Sequence, residues 1–158
     1  SGSNFLGRVE DRDTSSGTVL ARGEVVKTNN TNFALRIATG DPEISTDILL
    51  GVTSSASTET ATAEGDVDLI QILPSTILRG RATTAANLNT QALLDAMRYE
   101  YITFDVVTAL ITIDEDEGTD PNVHGLCILD GDIVAGTLEV AVHINVTLSG
   151  SLVGQTMD

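Results

Sequence analysis

The sequence predicts a mainly β protein, a small β-barrel or sandwich carrying one short helix and an extended N-terminal arm. Three observations lead there. Short runs rich in Val, Ile and Thr recur along the chain, each bounded by Gly, Pro, Asn or Asp clusters, which is the pattern of strands and turns. Only one stretch has helical spacing, so no alternation of strand and helix builds a parallel sheet. The 158 residues are 41% hydrophobic but only 3% aromatic, without Trp, so a single-domain core has to be assembled from Val, Ile, Leu and Ala.

Residues 1–17 read as the arm. They are polar, charged in alternating sign and interspersed with Gly and Ser, with Phe5, Leu6 and Val9 as their apolar anchors. That is too little apolar surface to fold alone, so the segment is expected to be disordered or to lie on another chain. Residues 18–158 form the β-rich body. "TVLARGEVVKT" and "NFALRIAT" are β-rich runs separated by the turn cluster "NNTN", and "GDPE" marks the next turn before "ISTDILLGVTSSA". A polar loop, "STETATAEGD", leads to "VDLIQILPSTILRGRAT", a long strand interrupted at Pro74. Proline cannot donate to a ladder, so this point is an edge, a bulge or a break between two strands. "NTQALLDAMR" is the helix, capped by Asn89 or Thr90, with Leu93, Leu94 and Met97 at one-face spacing. "YEYITFDVVTALITID" returns to β, and "HGLCILDGDIVAGTLEVAVHINVTLSG" completes it with Asp130-Gly131 as a hairpin-turn signal.

Charge narrows the partners. The formal net charge is −15, from 23 acidic residues against 8 basic ones. Such a surface repels phosphate, so no direct nucleic-acid partner is expected. Few aromatic rings also leave little on which bases or sugars stack. No apolar run reaches the roughly 18 residues of a membrane span, and no membrane partner is expected. Cys127 is the single cysteine, which rules out an internal disulfide.

"DEDEGTDPNVHGLC", residues 114–127, is the densest cluster of chemistry-bearing side chains. An EF-hand loop needs oxygen ligands at positions 1, 3 and 5, Gly at 6 and Glu at 12. Counted from Asp114, position 5 is Gly118, position 6 is Thr119 and position 12 is Gly125, so the match fails three times. A looser calcium site from Asp114, Asp116 and Asp120 stays as an alternative. Zinc lacks donors, because His124 and Cys127 have only His143 as a further histidine. A Cys–His nucleophilic pair three residues apart on a strand points to opposite faces. There is no G-x-S-x-G, no P-loop and no dinucleotide fingerprint. The expectation is an exposed loop with no tightly held metal, in a protein without cofactor or catalytic residues that is not an enzyme.

The block "GEVVKTNNTNFALRIATGDPEISTDILLGVTSSASTETATAEGDVDLIQILPSTILRGRATT" resembles the β-barrel modules of tailed-bacteriophage capsid decoration, or cement, proteins, over residues 18–84. In that group, as here, a polar N-terminal arm precedes a small β-rich body. The resemblance implies a virion protein on the outer surface of an icosahedral head, a homotrimer that binds the major capsid protein and stiffens the shell. The arm would then be the capsid-binding element, with Phe5, Leu6 and Val9 buried against the partner and Arg8 and Arg12 paired with its acids. Two rivals stay open: another phage structural component, such as a head fibre base or tail-tube subunit, and a small binding or hydrolytic domain whose site forms only in three dimensions.

Overall fold

The computed structural model describes residues 8–14, 19–28, 33–58, 60 and 62–148, with residues 8–14 as backbone. The protein is mainly β, as the sequence predicts, and among the described residues its strands form a five-stranded sheet, a four-stranded sheet and a two-stranded ribbon.

The five-stranded sheet runs β1-β5-β4-β2-β3, with β1 Arg8–Thr14, β2 Val25–Thr28, β3 Leu35–Arg36, β4 Ile48–Thr53 and β5 Gly65–Gln71. Its pairings are antiparallel. Strand β5 alternates, burying Val67 and Leu69 while Asp66 and Ile70 face outward, the period of a strand with one covered face. Strand β4 does not alternate. Leu49 and Leu50 are both buried, and successive strand residues point to opposite faces, so each enters a different core. Leu50 joins Leu20, Val26, Val67 and Leu69 on one side, while Leu49 joins Ile72 and the second sheet on the other. Gly51, the next residue of β4, has no room for a side chain, because a Cβ there would sit 2.5 Å from the Ile70 carbonyl oxygen.

The four-stranded sheet runs β6-β11-β10-β7, with β6 Ile77–Arg81, β7 Tyr101–Ile102, β10 Leu126–Asp132 and β11 Thr137–Val142. Leu126, Ile128, Leu138 and Val140 are fully buried and form the larger core with Leu49, Ile72 and Ile102. Helix α1, Gln91–Met97, closes this core with Leu94 and Met97, and the Thr90 hydroxyl caps it by accepting the Leu93 N–H at 3.3 Å. Leu93, the third residue of the expected apolar face, is 40% exposed. The ribbon is β8 Phe104–Val107 with β9 Leu110–Ile113.

One sequence expectation is narrowed and two change. Pro74 marks a break between strands, and the break carries the chain from one sheet to the other. The Asp130-Gly131 signal is not a turn: both residues lie inside β10, and the hairpin turns at residues 133–136, with Gly136 at φ +67. Gly131 serves packing instead, since a Cβ there would meet the Thr137 carbonyl at 2.8 Å and Leu94 of α1 at 3.1 Å. The expected arm is also revised. Arg8–Thr14 pairs antiparallel with β5 of its own chain, so this part has a place in the body's own sheet.

Candidate functional site

The arm residues divide between described and undescribed backbone. Phe5 and Leu6 lie outside the described residues. Arg8, Val9 and Arg12 lie on β1, opposite Ile70, Leu69 and Val67 of β5, with a register shift between Val9 and Arg12. Strand β1 is the outermost of its sheet, so β5 is its one neighbour among the described residues. Its sequence, RVEDRDT, carries two arginines and three acids along the edge. An edge strand of this kind presents a row of backbone donors and acceptors on its outer side, while its charges discourage indiscriminate pairing.

The acidic stretch is built into the fold, and its carboxylates are occupied by protein donors. Glu115 is buried, and the Thr83 and Thr84 N–H groups donate to its Oε2 and Oε1 at 2.7 and 2.9 Å. Asn87 donates from Nδ2 to the same Oε1 at 3.2 Å and also to Asp116. The Thr103 hydroxyl donates to Glu117. Thr119 accepts the Tyr101 N–H at 2.8 Å, and Asp120 accepts the Asn122 N–H at 2.9 Å. Burial pushes Asp114 above its ordinary pKa, and the negative charges of Glu117, Asp105 and Glu115 add to that. The carboxylates of Asp114, Asp116 and Asp120 thus serve as local acceptors. Among the described residues, no group of three or more His, Cys, Asp or Glu side chains is placed to hold a metal ion. The expected exposed loop needs one correction, because Glu115 is 7% exposed and ties the stretch to the turn at residues 83–87.

His124 and Cys127 have separate surroundings. The His124 ring faces the Tyr101 carbonyl through Nδ1 at 3.0 Å and Glu117 through Nε2 at 3.5 Å. Cys127 is half-buried in β10, and burial raises its thiol pKa, which keeps it protonated and a poor nucleophile. His143 accepts the Asn145 N–H at 3.1 Å and caps the 3-10 turn Ile144–Val146. The cleft between the sheets, about 160 Å³, is lined mainly by apolar side chains such as Val25, Val52, Leu78 and Phe104. The open clefts around Asp132, Leu110 and Asp66 include neither histidine.

A third cluster escaped sequence reasoning. Lys27, the single lysine of the chain, extends from β2 between two aspartates. Its Nζ lies 2.6 Å from Asp41 Oδ2 and 3.2 Å from Asp47 Oδ1, with side-chain exposures of 14%, 11% and 5% for Lys27, Asp41 and Asp47. The Ala38 N–H donates to Asp41 Oδ2 at 2.7 Å, and the Glu43 N–H donates to Asp47 Oδ2 at 2.8 Å. Burial raises the Asp41 pKa, and the Lys27 and Ala38 hydrogen bonds only partly counter it. Burial alone would lower Lys27, but the two carboxylates hold it above its ordinary value. The one available signal was a lone lysine in the apolar run "VVKT", a position that demands a buried partner.

No family model, curated protein or solved structure matches the chain. Among the described residues, no helix is long and apolar enough to cross a membrane.

Proposed function

We propose that the protein is a structural component of a virion that binds the outside of an icosahedral phage head, contacts the major capsid protein as a homotrimer and stabilises the shell. The observation that carries this reading is the placement of Arg8–Thr14 at the outer edge of the five-stranded sheet. Among the described residues β1 has one neighbour, β5, and addition of a strand to such an outermost edge is a common way to join subunits. The strand's mixed charges select a partner edge of complementary pattern. Individual exposed ion pairs there contribute under about 1 kcal/mol, so the main-chain ladder and apolar burial supply most of the affinity. Burying Phe5 and Leu6 against the partner would contribute about 1.5–3 kcal/mol each. An acidic exterior at net charge −15 keeps many copies from adhering to one another when they crowd a shell.

Deletion of residues 1–17 tests the reading. The truncated protein is expected to keep its β circular-dichroism spectrum and to lose binding to undecorated heads, which then break at a lower temperature. Unchanged saturation of the heads by the truncated protein would move the binding surface to the body. Sedimentation that shows a strict monomer both free and on the particle would remove the trimer.

A further inference from the structure

We propose that Lys27 and Asp41 are the precursors of an intramolecular isopeptide bond, formed by the folded chain itself with Asp47 as the proton carrier. The geometry supplies each requirement of amide formation. The nucleophile and the acyl group are in contact, since Lys27 Nζ lies 2.6 Å from Asp41 Oδ2. The Asp41 carboxyl carbon is one bond beyond that contact, close to the roughly 3–3.5 Å separation of a near-attack arrangement. Asp47 Oδ1 stands 3.2 Å from the same nitrogen and is held in place by the Glu43 N–H on its other oxygen. The Ala38 N–H already donates to Asp41 Oδ2, the oxygen on which negative charge develops. Water is largely excluded, with all three side chains at least 86% buried by accessible surface. Nearby, β2 lies antiparallel to β4 with Lys27 opposite the fully buried Leu49, and Phe104 donates its N–H to the Asp41 carbonyl at 2.6 Å.

The step balances without a co-reactant. Lys27 begins as the ammonium, which the two carboxylates hold above its ordinary pKa, and passes one proton to Asp41, whose own pKa burial raises. The acid O–H is then on Oδ1, and Oδ2 stays the carbonyl oxygen that accepts the Ala38 N–H. The freed Nζ lone pair then attacks Asp41 Cγ, the C=O π pair moves onto Oδ2, and Asp47 takes a second proton from the nitrogen. Collapse of the tetrahedral centre breaks the other C–O bond. Asp47 returns its proton to the departing hydroxyl, which leaves as water, and the Nζ–Cγ amide remains. An amine and a carboxylic acid condense poorly in dilute water. Here fixed contact supplies an effective concentration on the order of 10⁵–10⁸ M, and the buried site disfavours the return of water. The product ties β2 covalently to the segment between β3 and β4. No earlier residue role depends on this bond, so its test is independent of the virion reading.

The test is the intact mass of the folded full-length chain, measured under denaturing conditions after incubation at neutral pH. The expected mass is one water below that of the 16.6 kDa sequence, and tandem spectra of a digest should show the peptide containing Lys27 joined to the one containing Asp41. Lys27→Arg, which keeps the positive charge, should restore the full sequence mass. Asp47→Asn should slow formation by about 10²-fold or more, the usual contribution of a positioned acid–base group. A natively folded wild-type protein that keeps its full mass would overturn the proposal. So would a water loss that maps elsewhere, for example to a succinimide at Asp130-Gly131. If Asp47→Asn cross-links at the wild-type rate, the proton-carrier role is wrong.

Discussion

Glu115→Gln removes one charge from a buried side chain without changing its size, and the structure fixes what this should cost. The carboxylate receives the Thr83 N–H on Oε2 and the Thr84 N–H with the Asn87 amide on Oε1. Glutamine offers one oxygen and one NH₂ group. Whichever way the amide turns, its NH₂ faces a backbone N–H, so at least one buried donor loses its acceptor. An unsatisfied buried donor costs about 1–3 kcal/mol. The bonds that survive lose their charge assistance, roughly another 1 kcal/mol. The sum is about 2–4 kcal/mol, or a Tm lower by roughly 4–16 °C for a chain of this length. Urea unfolding followed by circular dichroism at neutral pH measures it, with Asp116→Asn as the exposed control expected to stay within about 0.5 kcal/mol. If Glu115→Gln also stays within that limit, the acidic stretch is not held by Glu115, and its burial is incidental.

The hairpin between β8 and β9 turns through Thr108 at φ 49 and Ala109 at φ 66, both left-handed. Such a conformation costs roughly 1–2 kcal/mol for a residue with a Cβ, so Ala109→Gly should stabilise the protein by up to about 1 kcal/mol, read as a higher urea midpoint with unchanged slope; a lower midpoint would contradict the strain. Acid stability carries a further prediction. Asp130 is held below its ordinary pKa chiefly by Arg98, and Asp132 by the N–H groups of Ala135 and Val134. A depressed folded-state pKa contributes stability that is present above the unfolded value of about 4 and is lost as pH falls through the folded one. Asp114, raised by burial, has the opposite sign. The double variant Asp130→Asn, Asp132→Asn should therefore flatten the loss of stability below about pH 4; an unchanged acid limb would refute the assignment.

The β class was legible because local chemistry and tertiary structure agree along most of the chain. Val67 and Leu69 alternate with Asp66 and Asp68, Pro74 interrupts a ladder it could not have joined, and Thr90 caps the α-helix. Where the reading failed, distant residues decided. Gly131 looks like a turn residue in sequence, yet it is small because Leu94 packs against it from 37 positions earlier. The true turn at residues 133–136 is closed by Asp132, which accepts the Val134 and Ala135 N–H groups. The tip at Thr108 and Ala109 has neither Gly nor Asn, so nothing local announced it. The acidic stretch was correctly seen to lack the EF-hand spacing, but spacing could not reveal that Glu115 is used by Thr83 and Thr84. The Lys27 cluster was the least visible. Its members come from β2, from the segment after β3 and from the residue before β4, and only their pairing in the sheet brings them together.

The change of sheets at Pro74 also has a meaning in time. All strands of the five-stranded sheet precede it and all strands of the four-stranded sheet follow it. A ribosome extrudes the first group while the second is still untranslated. At about 5–20 residues per second, the 84 residues that follow Pro74 in the sequence take roughly 4–17 s to emerge. During that interval the Leu50, Val67 and Leu69 side of the nascent sheet can close on itself, because its partners Leu20, Val26 and Ala34 are already made. The opposite side, with Leu49 and Ile72, waits for Leu126, Ile128, Leu138 and Val140. Synthesis therefore passes through a half-finished sheet with one dry face and one bare face, and the bare face is where a chaperone would hold the nascent chain.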